Sequence, residues 1–433
     1  MHITIKRAIA FFIQFAIIAL FSSCINDSSS DNDNFVSIKN INTDSSDYTN
    51  EFLSPITYET KLYFSGYDGS NYKIYEFDGT SINNVNSGSS NYVNDFSTPI
   101  TYNSKLYFKG YDGSNYKIYE FDGTSINNVN SGSSDYNSNF SSPIIYNSKL
   151  YFKGYSISGS KVYEFDGASI NNVSFGSSDY TNDFSSAIVY NSKLYFMGYG
   201  GSVSKIYEFD GTSINNVSSG SSDYHSNFSS PIIYNSKIYY RGYDGTNYKI
   251  YEFDETSINN VSSGSSGYSD DFSYPLEYNS RMYFRGYGGS DSKIYKFDGI
   301  SINSINSGSS DYTNDFSSAI VYNSKLYFMG CGGSVSKIYE FDGTSINNVN
   351  SGSSDYTNDF SYAIEYKSNI YFQGSDGSKT GIYKFGGIKI TKIDAGTSDH
   401  IIGFYHPILY DTKLYFRGYN GSDFKIYEIN DDK

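Results

Sequence analysis

A step of 44 residues, kept without insertion or deletion, constrains this chain more than any other feature of it. The triplet Leu62-Tyr63-Phe64 returns as Leu106-Tyr107-Phe108, Leu150-Tyr151-Phe152 and Leu194-Tyr195-Phe196. It continues in close variants at every later step, as far as Leu414-Tyr415-Phe416. A second marker keeps the same step from Phe52 through Phe96 and Phe140 to Phe404. Nine such units account for residues 37–433, so the chain is one repeat array rather than two or three unrelated domains.

The unit from Ser97 to Phe140 reads as four short strands. Pro99–Tyr102 is the first, Lys105–Tyr111 the second, Tyr116–Phe121 the third and Ser125–Asn130 a more polar fourth. Asn103-Ser104, Asp112-Gly113 and Asp122-Gly123 supply the turns, because Asn, Asp and Gly tolerate the positive φ of tight hairpins. Aromatic residues make up 19% of the chain, which favours strands and gives them enough apolar area for a large core. The two middle strands are apolar at most positions instead of alternating, as in sheets covered on both faces.

Four-stranded sheets of this size, repeated and packed face to face, make a β-propeller. The expected fold class is therefore all-β, with nine four-stranded antiparallel blades. The cut ends support closure. Ser37–Asn42 aligns with the fourth strand, and the chain stops after a third strand at Lys425–Ile429, so the N-terminal strand would complete the last blade. Nine blades exceed the usual range. An open superhelix, or eight blades with a displaced unit, stay open on the sequence alone.

Residues 1–23 form a separate segment. Lys6 and Arg7 precede an apolar run, Ala8–Leu20, too short to span a membrane and right for a signal-peptide core. Phe21-Ser22-Ser23-Cys24 resembles a bacterial lipobox, which implies cleavage before Cys24 and its lipidation. Residues 24–36 are polar and acidic, a flexible tether.

Within the array, SKLYFKGYDGSNYKIYEFDGTS resembles a kelch blade, and resembles more closely the bacterial repeat family named for the motif ELWxxDGT. Lys117–Thr124 stands in that motif's place, with Tyr119 where the family has Trp. Asp-Gly-Thr recurs at Asp78, Asp122, Asp210 and Asp342 and degenerates at Asp254-Glu255 and Gly386-Gly387. The resemblance implies a propeller in exported bacterial proteins and carries no catalytic residues.

Catalysis needs an asymmetric constellation. Residues 177–217 and 309–349 differ only at Tyr199 against Cys331. Neither a phosphate loop, a zinc-type cluster nor a nucleophile elbow occurs. His400 and His406, with Asp399, form the one polar His pair in a loop. The acidic pairs Asp179/Asp183, Asp270/Asp271, Asp311/Asp315 and Asp355/Asp359 do not follow a calcium-loop pattern and read as turn-makers. No metal, no cofactor and no enzymatic activity are expected.

Each inter-unit loop carries an aromatic: Tyr48, Tyr92, Tyr136, Tyr180, Tyr224, Tyr268, Tyr312 and Tyr356, with His400 last. They are the candidate ligand-binding residues, a ring of phenols suited to sugar stacking or protein contact. The competing reading makes each a loop anchor packed on the core; burial separates the two.

The formal net charge of −15 repels nucleic acid and anionic lipid, neither of which is expected as a partner, and is compatible with cationic partners, calcium or neutral glycans. The expected function is a monomeric, lipid-anchored extracytoplasmic scaffold at a bacterial outer membrane or cell surface. It would bind a glycan or a protein through its loop face and meet the membrane only through its lipid. Two other classes stay open. One is a secreted glycan-active enzyme, which would show paired carboxylates or a His–Tyr cluster at the channel mouth. The other is a structural or antigenic repeat protein without a small ligand.

Overall fold

The structure is a computed structural model. It describes residues 36–431 apart from the short segments 43–46, 86–91, 130–134, 175–178, 218–222, 263–266, 306–310, 350–355 and 394–400. The signal segment, Cys24, residues 24–35 of the tether, Asp355, Asp399 and His400 lie outside the described residues, and Val36, placed in the tether by the sequence, opens β1.

Among the described residues, thirty-six strands, β1–β36, form nine four-stranded antiparallel sheets arranged in a ring, a nine-bladed β-propeller. In the first blade β2 (Asn50–Tyr58) is innermost, followed by β3 (Lys61–Tyr67), β4 (Tyr72–Phe77) and the short outer β5 (Ile82–Asn84). Each innermost strand neighbours the innermost strands of the blades on either side, so these strands line the central channel.

Ring closure follows the cut ends. β1 (Val36–Asn40) pairs with β36 (Phe424–Asp431), in the sheet that also holds β35 (Lys413–Tyr419) and β34 (Ile402–Tyr410). The register sets Ile38 opposite Ile429. The first strand of the chain is thus the outer strand of the last blade, and the open and eight-bladed alternatives fall.

The core is a set of inter-blade layers. At the closing interface Phe52, Leu62, Phe64, Tyr75, Phe77 and Ile82 of the first blade pack on Tyr410, Tyr415 and Ile426 of the last. The same positions meet at every other interface, for example Tyr58, Tyr63 and Ile74 against Phe96, Leu106 and Phe108. This explains why the middle strands are apolar on both faces: each face belongs to a different interface.

The innermost strands are longer than expected. In the second blade the strand runs Asn94–Tyr102, not Pro99–Tyr102. Two irregularities in its pairing, with positive φ at Asp95 and Thr98, break the alternation that would have marked it. The outer strand is shorter than expected, Ile126–Asn128. Asn103-Ser104 adopts positive φ at both residues, the two-residue hairpin its composition called for.

Candidate functional site

The eight loop tyrosines are not an exposed ring. Tyr48, Tyr92, Tyr136, Tyr180, Tyr224, Tyr268, Tyr312 and Tyr356 are all buried, between 4% and 8% exposed. Each hydroxyl donates to a backbone carbonyl three residues on, as Tyr136 does to Asn139 at 2.5 Å and Tyr312 to Asp315 at 2.6 Å. Each ring meets two core aromatics edge-on, as Tyr92 does with Phe108 and Tyr119. Burial pushes the phenols of Tyr48, Tyr92 and Tyr312 well above the ordinary tyrosine range. The expectation of ligand contact is corrected: these rings are anchors that fix the inter-blade loops.

The sequence held a signal for this. A glycine recurs at Gly66, Gly110, Gly154 and every later step to Gly418. A Cβ on Gly66 would stand 2.5 Å from the Tyr48 ring, and one on Gly198 2.6 Å from that of Tyr180. The glycine exists so that the tyrosine can lie on the strand. In the last blade, Ile401 Cγ2 instead approaches the Gly418 position, at 2.8 Å.

The acidic loops hold cations and amides. Asp179 and Asp311 bind Lys205 and Lys337 at 3.1 Å, and Asp183 pairs with Lys153 of the preceding blade. Asp271 lies between Arg241 of the preceding blade, 3.4 Å away, and Arg285 of its own, 3.7 Å away. Among the described residues no group of three His, Cys, Asp or Glu is set to hold a metal ion. Cys331 is a free thiol, 3.8 Å from the Ser336 hydroxyl.

What does reach solvent on the loop face is a second set of side chains around the channel. The bulge carrying positive φ places Ser54, Thr98, Ser142, Ser186, Ser230, Tyr274, Ser318, Tyr362 and His406 at one level of the innermost strands. Six of these are small hydroxyl residues. Tyr274, Tyr362 and His406 are the exceptions, and all three are exposed. Tyr362 meets Tyr405 edge-on at 5.4 Å. Partial desolvation of the His406 ring, and then Arg417, lower its pKa, against a smaller opposing effect of Glu51.

A second ring lies just behind. Position 65 of each unit, on the second strand, holds Ser65, Lys109, Lys153, Met197, Arg241, Arg285, Met329, Gln373 and Arg417 in turn. Eight of these are long; Ser65 alone is short, and it is buried. Between the first and second blades a cleft of about 280 Å³ results, lined by Leu53, Ser54, Ser65, Tyr72, Asn94, Asp95, Ser97 and Tyr116. Tyr72 and Tyr116 flank it, 41% and 47% exposed. Two hollows of about 420 and 520 Å³ lie further out, beside Ile157 and beside Tyr287.

No family model matches the chain, and no curated protein matches it. Some solved structures are similar to it at low identity. The β-propeller domain of the Trilobed protease from Pyrococcus furiosus is 12% identical, covering 80% of this chain and 96% of that one, with a TM-score of 0.37. An acylaminoacyl peptidase from Pyrococcus horikoshii is 14% identical over 85% of this chain and 55% of its own, with a TM-score of 0.38. An oligogalacturonate lyase from Vibrio parahaemolyticus is 10% identical over 78% and 98%, again at 0.38. The chain thus spans just over half the length of the peptidase and almost the whole of the lyase.

The cleft, the aromatic channel residues and His406 were not singled out in the sequence as one site. The usable signal was departure from the repeat. Ser65 is the one short residue at its position, Tyr274, Tyr362 and His406 replace the small hydroxyl residues of the other six units, and Gly403 replaces an acid or amide kept in the other eight.

Proposed function

We propose that the protein is a lipid-anchored, extracytoplasmic binding scaffold that engages its ligand at the channel mouth on the loop face. The observation that carries this reading is the cleft between the first two blades. Two exposed phenol rings line it together with hydroxyl, amide and carboxylate groups, the mixture that recognition sites use. The reading keeps the loop face as the binding face but moves the contact residues from the buried anchors to Tyr72 and Tyr116.

Two further features support display on a lipid anchor. Ser22-Ser23-Cys24 follows an apolar signal core. The chain also enters β1 at Val36, opposite Asp431, at the end of β36 remote from the loop face. A tether joined there leaves the channel mouth clear.

The test is binding of the mature chain to a glycan array and to candidate protein ligands, beside the Tyr72→Ala/Tyr116→Ala variant. Both rings are solvent-facing, so the variant keeps its Tm and loses the ligand. Equal binding by the two proteins would sink the cleft as the site. Radiolabelled palmitate tests the anchor, with Cys24→Ser expected to stay unlabelled.

A second reading, a glycan-active enzyme, is favoured by the cluster of His406, Tyr405, Tyr362, Arg417 and Glu51, which breaks the ninefold repetition at the channel mouth. Loss of turnover in His406→Gln, on a glycan the array identifies, would establish it.

A further inference from the structure

Near the channel, two of the nine inter-blade interfaces carry a complete set of cation, acid and aromatic ring, and a third carries the ring and the acid with a serine in the cation's place. Where the arrangement is complete, a cation at position 65 reaches forward to the acid of the next blade and lies over the aromatic ring of its own hairpin. Arg241 stands 3.4 Å from Asp271, and its guanidinium sits 3.9 Å from the centre of the Tyr248 ring. Arg417 stands 2.7 Å from Glu51, and its guanidinium sits 3.5 Å from the centre of the Phe424 ring. Ring and carboxylate together form a receptor for a planar cation.

Between the first and second blades the receptor is present and the cation is not. Tyr72 occupies the place of Tyr248 and Phe424, and Asp95 that of Asp271 and Glu51. Ser65 stands where the arginine would be. Asp95 keeps the Ser97 hydroxyl at 3.1 Å and Lys109 of its own blade at 4.0 Å. Tyr116, with Lys109 5.0 Å from its ring centre, closes the other side.

We propose that this cleft takes a guanidinium group, the arginine side chain of a partner protein, in the place that Arg241 and Arg417 fill elsewhere in the ring. The inference rests on the cleft being the binding site. The negative net charge of the chain favours approach of a cationic partner. A guanidinium is preferred over an ammonium because the two complete interfaces each stack a planar cation on the ring. Burial raises the Asp95 carboxyl above its ordinary range, against the weaker opposing effects of Lys109 and Ser97. A bound cation would reverse that direction.

The full chain is titrated with Nα-acetyl-arginine methylamide, with the neutral citrulline counterpart and with the lysine counterpart, by heteronuclear NMR. The arginine probe is expected to bind and to shift the signals of Tyr72 and Tyr116. The citrulline probe is expected to bind about tenfold more weakly, as loss of a charge-assisted bond implies. Asp95→Asn should bring arginine down to the citrulline level without changing Tm. Ser65→Arg should abolish binding and raise Tm, because the chain then supplies its own cation. Equal affinity for arginine and citrulline, undiminished arginine binding by Asp95→Asn, or no arginine binding would each overturn the inference. Neutral glycans that still bind through Tyr72 and Tyr116 in that last case would leave the cleft standing as a site and remove only its cationic ligand.

Discussion

Arg417 of the last blade grips Glu51 of the first at 2.7 Å, so the two ends of the repeat array are joined beside the channel as well as along β1 and β36. Both side chains are mostly withdrawn from solvent. Removing one partner leaves the other charge partly buried and alone, which costs more than the pair contributes. Arg417→Met should destabilise by about 1–3 kcal/mol, less than for a fully buried pair because some solvent reaches it. The chain contains its own remedy: Met197 in the fourth blade faces a unit that carries Asn227 at the acid position. Arg417→Met with Glu51→Asn should therefore lose less than Arg417→Met alone. Urea unfolding of the three variants measures the difference, and an additive loss would show that the two residues do not act as a pair.

Tyr180→Phe deletes a buried hydroxyl and leaves the Asp183 carbonyl without that donor. The expected loss is about 1–2 kcal/mol, with no change in ligand binding. Gly198→Ala sets a methyl 2.6 Å from the Tyr180 ring and 3.0 Å from the Tyr207 ring. Overpacking of this kind should cost about 1–3 kcal/mol. Ligand affinity that falls in Tyr180→Phe while Tm holds would return the loop tyrosines to the binding site.

Asp431 repairs a break in the repeat. In most blades a glutamate on the third strand joins a lysine and a tyrosine of the second, as Glu120 joins Lys105 at 2.8 Å and Tyr107 at 3.1 Å. The eighth blade has Lys384 in place of that glutamate and Asn369 in place of that lysine. Asp431, at the end of β36 and fully buried, supplies the missing carboxylate, 2.8 Å from Lys384 and 2.5 Å from the Tyr371 hydroxyl. Asp431→Ala strands the Lys384 ammonium and should cost about 3 kcal/mol or more. Asp431→Ala with Lys384→Glu restores a carboxylate in the usual place and should recover part of it, as read by Tm.

The turn aspartates set the acid limit. Asp78, Asp210 and Asp254 accept bonds from the following Thr and Ser, which hold their carboxyls down to about 2. A carboxyl depressed in the folded state stabilises above its unfolded pKa, and that stability is lost as pH falls through the folded value. The urea midpoint should stay level down to about pH 4 and drop between about pH 4 and pH 2. Asp210→Asn should shallow that drop. A midpoint that already falls between pH 7 and pH 5 would locate the sensitive groups elsewhere.

The sequence declared the fold because each unit repeats its hairpin turns and its double-faced strands, and because the cut ends match as complementary parts of one blade. The inner-strand limits were hidden by bulges at positions such as Asp95 and Thr98, where positive φ suspends the alternation of side chains. The site was hidden for a different reason. Periodicity draws the eye to what recurs, and the recurring tyrosines are structural. The cleft depends on Ser65, an ordinary residue whose meaning comes from the long side chains at the same position in the other blades and from acids one unit further on. That relation between units appears only once the blades stand side by side.

Ring closure carries every placement above. Ser37→Cys with Asn430→Cys, at partnered positions of β1 and β36, tests it in a chain that also carries Cys24→Ser and Cys331→Ser. The closed nine-bladed ring predicts that mild oxidation links the two cysteines within one chain, independently of protein concentration, and raises Tm. Thiols that stay free, or that link only between chains, would contradict it.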